Sequence, residues 1–348
     1  MKGRAASFNT PNRFDKLHLE PIEIDRDEGE EDRPIKTVFF NDTSKSILSK
    51  NDSPDIPFTY SVNPYRGCEH GCIYCYARPS HEYLGFSAGV DFESKILVKH
   101  DAAKLLEEAF RKKSWKPQMV CFSGNTDCYQ PIEHRLQITR QCLEVFVKFR
   151  NPVGIITKNA LIRRDLDLLK ELATLNLVSV TISITSLNGD LIRVMEPRTS
   201  IPAKRLETVE LLASNGIPVN VLVAPIIPGL TDEEIPAILK ESASRGARSA
   251  GYTILRLNGP IEPLFRDWLE RELPDRAKKI LSRTKDIHAG KLSDARFGKR
   301  MKGEGEFART INQMFKLNCA RYGLNKEKFE FSTEHFRRET KGQTEMFG

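Results

Sequence analysis

No run of apolar residues in this 348-residue chain approaches the roughly 18 that a membrane-crossing helix needs, so no helical span is expected. The opening residues, Met1 to Ser7, lack the apolar h-region of a secretory leader and run into polar sequence, which makes the chain an expected soluble, cytoplasmic protein. Cysteines are few and odd in number, seven in all, which does not suit a disulfide framework in a reducing compartment. There is no internal repeat and no low-complexity tract beyond one acidic run. The histidines do not help a metal reading: His81, His134 and His288 have no partner spacing that suggests a site.

What is present is a rhythm. Residues 58–62, 119–122, 153–157, 178–184, 219–223 and 249–257 read as strands. Residues 102–112, 136–149, 161–175, 203–214 and 232–244 read as helices, the last with Thr231 as its N-cap. Strands alternating with helices imply βαβ units and a parallel sheet. With six strands and no sign of two more, the expected fold is α/β, a partial (β/α)6 TIM-type barrel. The expected division is a polar, acidic, partly disordered extension at 1–54, in which Val38, Phe39 and Phe40 dock onto the core, a barrel at 55–258, and a helical, basic segment at 259–348. Helices are expected there near 261–272, 275–285 and 306–322, with a loose end.

Three of the seven cysteines sit close together, Cys68, Cys72 and Cys75, spaced C-x3-C-x2-C in a loop after the first strand. Parallel α/β folds place their chemistry at that end of the sheet. Gly67 and Gly71 let the backbone turn tightly around a bulky ligand. Arg66 and His70 are positioned to supply charge or hydrogen bonds near sulfur. No fourth cysteine is near, and no second C-x2-C exists to complete a zinc site, although His70 is a conceivable fourth ligand. Three thiolates can hold an iron–sulfur cluster with one metal position free for chemistry. Buried structural cysteines are the remaining alternative, poorly matched by the glycines and charges between them.

C-x3-C-x2-C with Tyr74 before its last cysteine resembles the radical S-adenosylmethionine superfamily. The strings running from Cys75 to Tyr83 and from Asp91 to Lys99 resemble its spore photoproduct lyase-like, DNA repair photolyase-type branch. The resemblance covers residues 58–257. It implies that Cys68, Cys72 and Cys75 bind three irons of a 4Fe-4S cluster and that S-adenosylmethionine chelates the fourth. It also implies that Tyr74 lies near the adenine, and that a 5′-deoxyadenosyl radical abstracts hydrogen from a substrate. A flavodoxin- or ferredoxin-type protein is the implied electron donor.

Polar residues at other strand ends fit that picture. Asn125, Thr126 and Asp127 follow the second strand where the superfamily binds the cofactor's amino group; an ordinary Asx turn is the alternative. Lys158 ends the third strand and is placed to pair with the cofactor carboxylate. Ser183 and Thr185 end the fourth, where hydroxyls contact the cofactor in the family or satisfy backbone groups. Arg198 or Arg205 is suited to binding a carboxylate bidentately, or to a helix-start salt bridge. The apolar run 224–230 reads as a shelf for adenine or as a rigid turn, and Arg256 as facing the mouth. Cys121, ending the second strand, is a candidate to return a hydrogen atom, and Cys128 a further one; a buried small side chain is the default for both.

Charge is segregated. Residues 20–33 hold eight acids and two bases, a net of −6. Residues 278–302 hold nine bases and two acids, +7, which equals the net charge of the whole chain. The basic stretch suits phosphates, so nucleic acid is one expected partner. A radical enzyme on a protein or small molecule is the alternative, and a zinc-binding module without enzymatic activity is the third reading.

Overall fold

The computed structural model describes residues 3–14 and 35–338, so the acidic block 20–33 lies outside the described residues. Strand β1 (Val38–Asn41) and β2 (Leu48–Lys50) precede β3 (Tyr60–Val62) and the two-residue β4 (Tyr65–Arg66). Helix α1 (Val90–Ser94), β5 (Lys95–Val98), α2 (Ala102–Arg111), β6 (Val120–Phe122), α3 (Glu133–Leu136), α4 (Ile138–Phe149), β7 (Val153–Thr157) and α5 (Leu166–Thr174) follow. The chain continues through β8 (Val178–Ser183), α6 (Gly189–Met195), α7 (Pro202–Ser214), β9 (Val219–Ile226), α8 (Ile235–Ser244) and β10 (Ser249–Ile254). Three further helices end it: α9 (Ile261–Glu272), α10 (Pro274–Ile287) and α11 (Gly305–Arg321).

Six strands run parallel in sequence order, β3-β6-β7-β8-β9-β10, as expected of a six-unit partial barrel; β2 adds antiparallel to the outer edge of β3. The pleat decides which residues face outward. Val153 and Ile155 of β7, Val178, Val180 and Ile182 of β8, and Val219, Val221 and Val223 of β9 are buried in the main core beneath the helices. Their alternates Gly154, Ile156, Thr181, Asn220 and Leu222 are half-buried on the inner, concave side. In α4, Ile138, Cys142, Val145, Phe146 and Phe149 recur at helical spacing and form the buried stripe against that sheet.

Local differences from the sequence reading have local causes. The helix expected over 136–149 is interrupted at Gln137, whose left-handed backbone (φ 53°) separates α3 from α4. The helix expected from 161 opens with a 3-10 turn, Ala160–Asp165, capped by Asn159, whose side-chain oxygen accepts from Leu161 N at 2.9 Å. Thr231 does not cap α8: its hydroxyl accepts from Ile227 N at 2.9 Å and closes the preceding turn. Val38, Phe39 and Phe40 do not dock on the core. They pair in parallel with β5 at the edge of a second sheet, β1-β5-β4, with their side chains exposed.

The two free edges of the barrel are dressed differently. On β10, Ile254 N donates to Met301 O at 3.0 Å and Lys302 Nζ to Tyr252 O at 2.8 Å, so the loop after α10 covers the edge. Across the remaining gap, Asp55 accepts from Gly298 N at 2.8 Å and from Arg300 Nε at 2.6 Å, and Arg300 also reaches Ser53 Oγ. The end expected to be loose is packed as far as it is described. Asn325 and Ala250 exchange hydrogen bonds, Ser332 N donates to Asn176 O at 3.1 Å, and Phe336 contacts Phe110 and Phe149. An apolar ring with a buried slot to fill overrides the polar composition around it. At the other terminus Ala5 and Ala6 are buried, and Ala6 N donates to Glu93 Oε1 at 3.1 Å.

Candidate active site

The cysteine loop leaves β4 at the carboxyl end of β3. Its shape is enforced by two glycines and one arginine. Gly67 (φ +79°) would place a Cβ 2.9 Å from Lys95 O, and Gly71 (φ +65°) one 2.8 Å from Glu93 Oε2. Arg78 is fully buried. Its Nε donates to Cys72 O at 3.0 Å, Nη2 to Gly71 O at 3.1 Å, and Nη1 to Ala88 O and Gly89 O at 3.1 and 3.0 Å. Nη2 also pairs with the buried Glu93 carboxylate. Every guanidinium nitrogen is therefore engaged, Nε and Nη2 on the loop and Nη1 on the segment that leads into α1.

On this frame Cys68 and Cys72 are buried and Cys75 is partly exposed. Burial pushes the Cys72 and Cys75 thiols up, their neighbouring thiols add to this, and Lys158 pulls both back. Among the described residues no three His, Cys, Asp or Glu side chains converge as ligands of one ion would. Three thiols on one tight loop, close enough to perturb one another, suit a cluster in which each takes its own metal, and iron would displace the thiol protons.

The loop is locked to the rest of the mouth by two carboxylates, the buried Glu196 and the partly buried Asp127. Tyr74 donates its hydroxyl to Glu196, which also accepts from Thr185 Oγ1 at 2.6 Å and pairs with the buried Arg205. Burial opposes the Glu196 charge, but Arg205 and Lys158 hold its carboxyl down to about 2. Asp127 accepts from Thr157 Oγ1 and Lys158 N, both at 2.8 Å, and from Tyr129 N at 2.9 Å. It faces His70 Nδ1 at 3.4 Å. Burial works against charge on His70, yet Asp127 pushes its pKa up to about 10, and His70 helps keep the Asp127 carboxyl at about 2.

Lys158 joins Tyr74, Cys72 and Glu196: its Nζ lies 5.9 Å from the Tyr74 ring centroid. Ser183 is buried, its carbonyl accepting from Arg205 Nη1 at 3.0 Å, and Thr185 also donates to Ala224 O at 2.9 Å. Asn125 N donates to Asn63 Oδ1 at 2.8 Å, and its side-chain amide lies 3.4 Å from Ser80 Oγ. The Thr126 hydroxyl is committed to Tyr65 O at 2.6 Å. Arg198 pairs with Glu69 at 3.2 Å, so both it and Arg205 face carboxylates of this chain. Cys121 is buried on the inner side of β6, in register with Ser61 and Gly154, and burial pushes its thiol up to about 12. Cys128, Cys142 and Cys319 belong to the main core.

Three participants are absent from the sequence reading. Arg78 and Glu93 fix the cysteine loop, and Tyr76, half exposed, spans the mouth by donating to Gly124 O at 2.8 Å. All three lie in the strings 75–83 and 91–99 that carry the family resemblance, which gave them no role of their own. In the basic stretch, Arg296 pairs with Asp294 and Glu304 and Arg300 with Asp55, while Lys278, Lys279, Lys285 and Lys291 stand exposed. No helix among the described residues is long and apolar enough to cross a membrane.

Comparison with known proteins bears on the fold and the family. Spore photoproduct lyase complexed with dinucleoside spore photoproduct superposes with a TM-score of 0.58 over 82% of this chain and 80% of that one, at 18% identity, a likeness of fold. Uncharacterized protein Rv2578c of Mycobacterium tuberculosis is 36% identical over 254 residues, 72% of this chain and 74% of its own. Uncharacterized protein MJ0683 of Methanocaldococcus jannaschii is 29% identical over 225 residues, 65% of this chain and 80% of its own. Residues 62–241, from the end of β3 through most of α8, match the model of the Radical SAM superfamily, and the chain belongs to that family of enzymes.

Proposed function

We propose that Cys68, Cys72 and Cys75 hold a 4Fe-4S cluster beside S-adenosylmethionine and that the enzyme abstracts hydrogen from a nucleic-acid substrate. The observation that carries the reading is the single loop presenting three thiols at the barrel mouth, with the Lys158 cation within their field. Bound together, the two cofactors supply a 5′-deoxyadenosyl radical. The chain's own residues do the rest. Arg78 and Glu93 fix the loop, Glu196 fixes Tyr74, and Lys158 offers positive charge to a carboxylate. Cys121, buried on the inner side of β6, is the candidate to return a hydrogen atom.

The exposed lysines of α10 and the following loop support a phosphate-bearing substrate. The internal pairing of Arg296 and Arg300 lowers the free charge and favours the second reading, a protein or small-molecule substrate. The deciding experiment is anaerobic reconstitution followed by a dithionite assay for 5′-deoxyadenosine, with iron and zinc analysis. Cys72→Ala should abolish product; undiminished release from that variant, or stoichiometric zinc without iron in the wild type, contradicts the assignment. Oligonucleotide binding that weakens with salt separates the two substrate classes.

A further inference from the structure

Arg256 is the anomaly of the mouth. It lies half-buried just past β10, yet among the described residues no hydrogen bond or ion pair engages its guanidinium. The neighbouring arginines differ: Arg198, Arg205, Arg296 and Arg300 each meet a carboxylate. Burial and Arg300 lower the Arg256 pKa, while Tyr76 and Asp55 work the other way. Both of those neighbours are already engaged. Asp55 accepts from Gly298 N and Arg300 Nε, and the Tyr76 hydroxyl donates to Gly124 O. A cation partly removed from water without a partner costs free energy that a ligand's negative charge would return.

The chain around it builds a receiving surface. Ile254 N donates to Met301 O and Leu257 N to Leu292 O, both at 3.0 Å. Residues 293–300 therefore form a lobe whose two stems grip the strand on either side of Arg256. On that lobe Phe297 is 60% exposed, with the Arg300 guanidinium 4.5 Å from its ring centroid.

Each stem borders a cationic cavity. One, of about 580 Å³, is lined by Lys299, Lys302, Arg309 and Lys316 with one carboxylate, Glu304, which Arg296 already holds. The other, of about 440 Å³, is lined by Arg266, Lys285 and Lys291 with Glu262, which Arg266 holds at 2.9 Å. A lone carboxylate would satisfy Arg256 and leave both cavities without counter-charge. A phosphate with others on either side of it answers all three. The exposed ring of Phe297 suits a base carried by such phosphates.

We propose that Arg256 receives a phosphate group of the substrate, between two cavities that take the phosphates flanking it, and so helps to select what enters the mouth. The inference deepens the nucleic-acid reading above and rests on it for the strand, though not for the phosphate itself. The guanidinium fork matches two phosphate oxygens at once, which an ammonium does not. No covalent bond changes; the contact is one of binding and orientation.

The test uses the full chain, anaerobically reconstituted, with a single-stranded oligonucleotide and uridine 5′-monophosphate as separate probes over a range of salt. Arg256→Met, Arg256→Gln and Arg256→Lys are compared with wild type, and thermal unfolding identifies the variants that are folded. The two neutral variants should bind the oligonucleotide roughly tenfold more weakly. Their plots of log affinity against log salt should be shallower by about 0.7, the share of one phosphate contact on a single strand. Arg256→Lys should keep the slope and lose affinity, because the charge survives and the fork does not. A purely structural role would move affinity and leave the slope. An unchanged slope in a folded neutral variant, or a slope that falls as far in Arg256→Lys, overturns the proposal. If wild type binds the mononucleotide through Arg256 but no oligonucleotide, the phosphate site stands and the nucleic-acid reading fails. If wild type binds neither, both fail.

Discussion

Replacing Arg78 by methionine tests whether one buried guanidinium holds the cysteine loop. The side chain donates to four carbonyls, two of them in the loop at Gly71 and Cys72, and neutralises Glu93. Removing one partner of a buried ion pair costs about 3–5 kcal/mol, because the other charge is stranded. The orphaned carbonyls would add about 1–3 kcal/mol each if independent, but they share one donor group and relax together. Ala6 N still serves Glu93, which moderates the loss. The expected cost is therefore about 4–5 kcal/mol, a large part of a typical domain's total. Arg78→Lys keeps the charge and loses the fork, so it should cost about half as much. Adding Glu93→Leu to Arg78→Met should recover stability by removing the stranded carboxylate. The assay is urea unfolding at neutral pH, with iron content after reconstitution as the second readout. A loss below about 1 kcal/mol for Arg78→Met, or no recovery in the double variant, would refute the reasoning.

Other outcomes follow from particular residues. His81 is fully buried between Phe86 and Phe92, and burial brings its pKa from 6.5 down to about 4. It is neutral in the folded state, so its stability is complete above pH 6.5 and is lost as pH falls from 6.5 toward 4, by on the order of 3 kcal/mol. Unfolding free energy measured across that window should fall less steeply in His81→Leu, and an identical slope would discount the histidine. Gly71→Ala meets both a left-handed backbone and the Glu93 carboxylate, so it should lose cluster iron and thermal stability together; wild-type iron content would show that the loop is more yielding than its packing indicates.

The barrel was legible because its strands announce themselves locally. The β7 residues have the bounds that their apolar, β-branched run gives, and β3 and β6 differ by one or two terminal residues. The cysteine loop was legible because its three cysteines lie within eight positions of one another. The second sheet was not, since β4 has two residues and β1 resembles a segment seeking a core. The locks on the loop were equally hidden. Glu196 meets Tyr74 across 122 positions and Asp127 meets His70 across 57, separations at which no periodicity speaks. Arg198 and Arg205 read either as ligand-binding cations or as helix-start salt bridges, and the folded chain shows each facing a carboxylate of its own, Glu69 and Glu196.

The join between Asp55 and Arg300 turns a six-strand arc into a hoop of fixed girth. A cradle open along one flank could receive a long filament broadside; a hoop admits only what can be lowered from above. If the guest is a polymer, it must offer a bulge or an end, with its remaining length resting outside on the rim. Cutting that join, with Asp55→Ala, would relax this steric rule without touching a single sulfur.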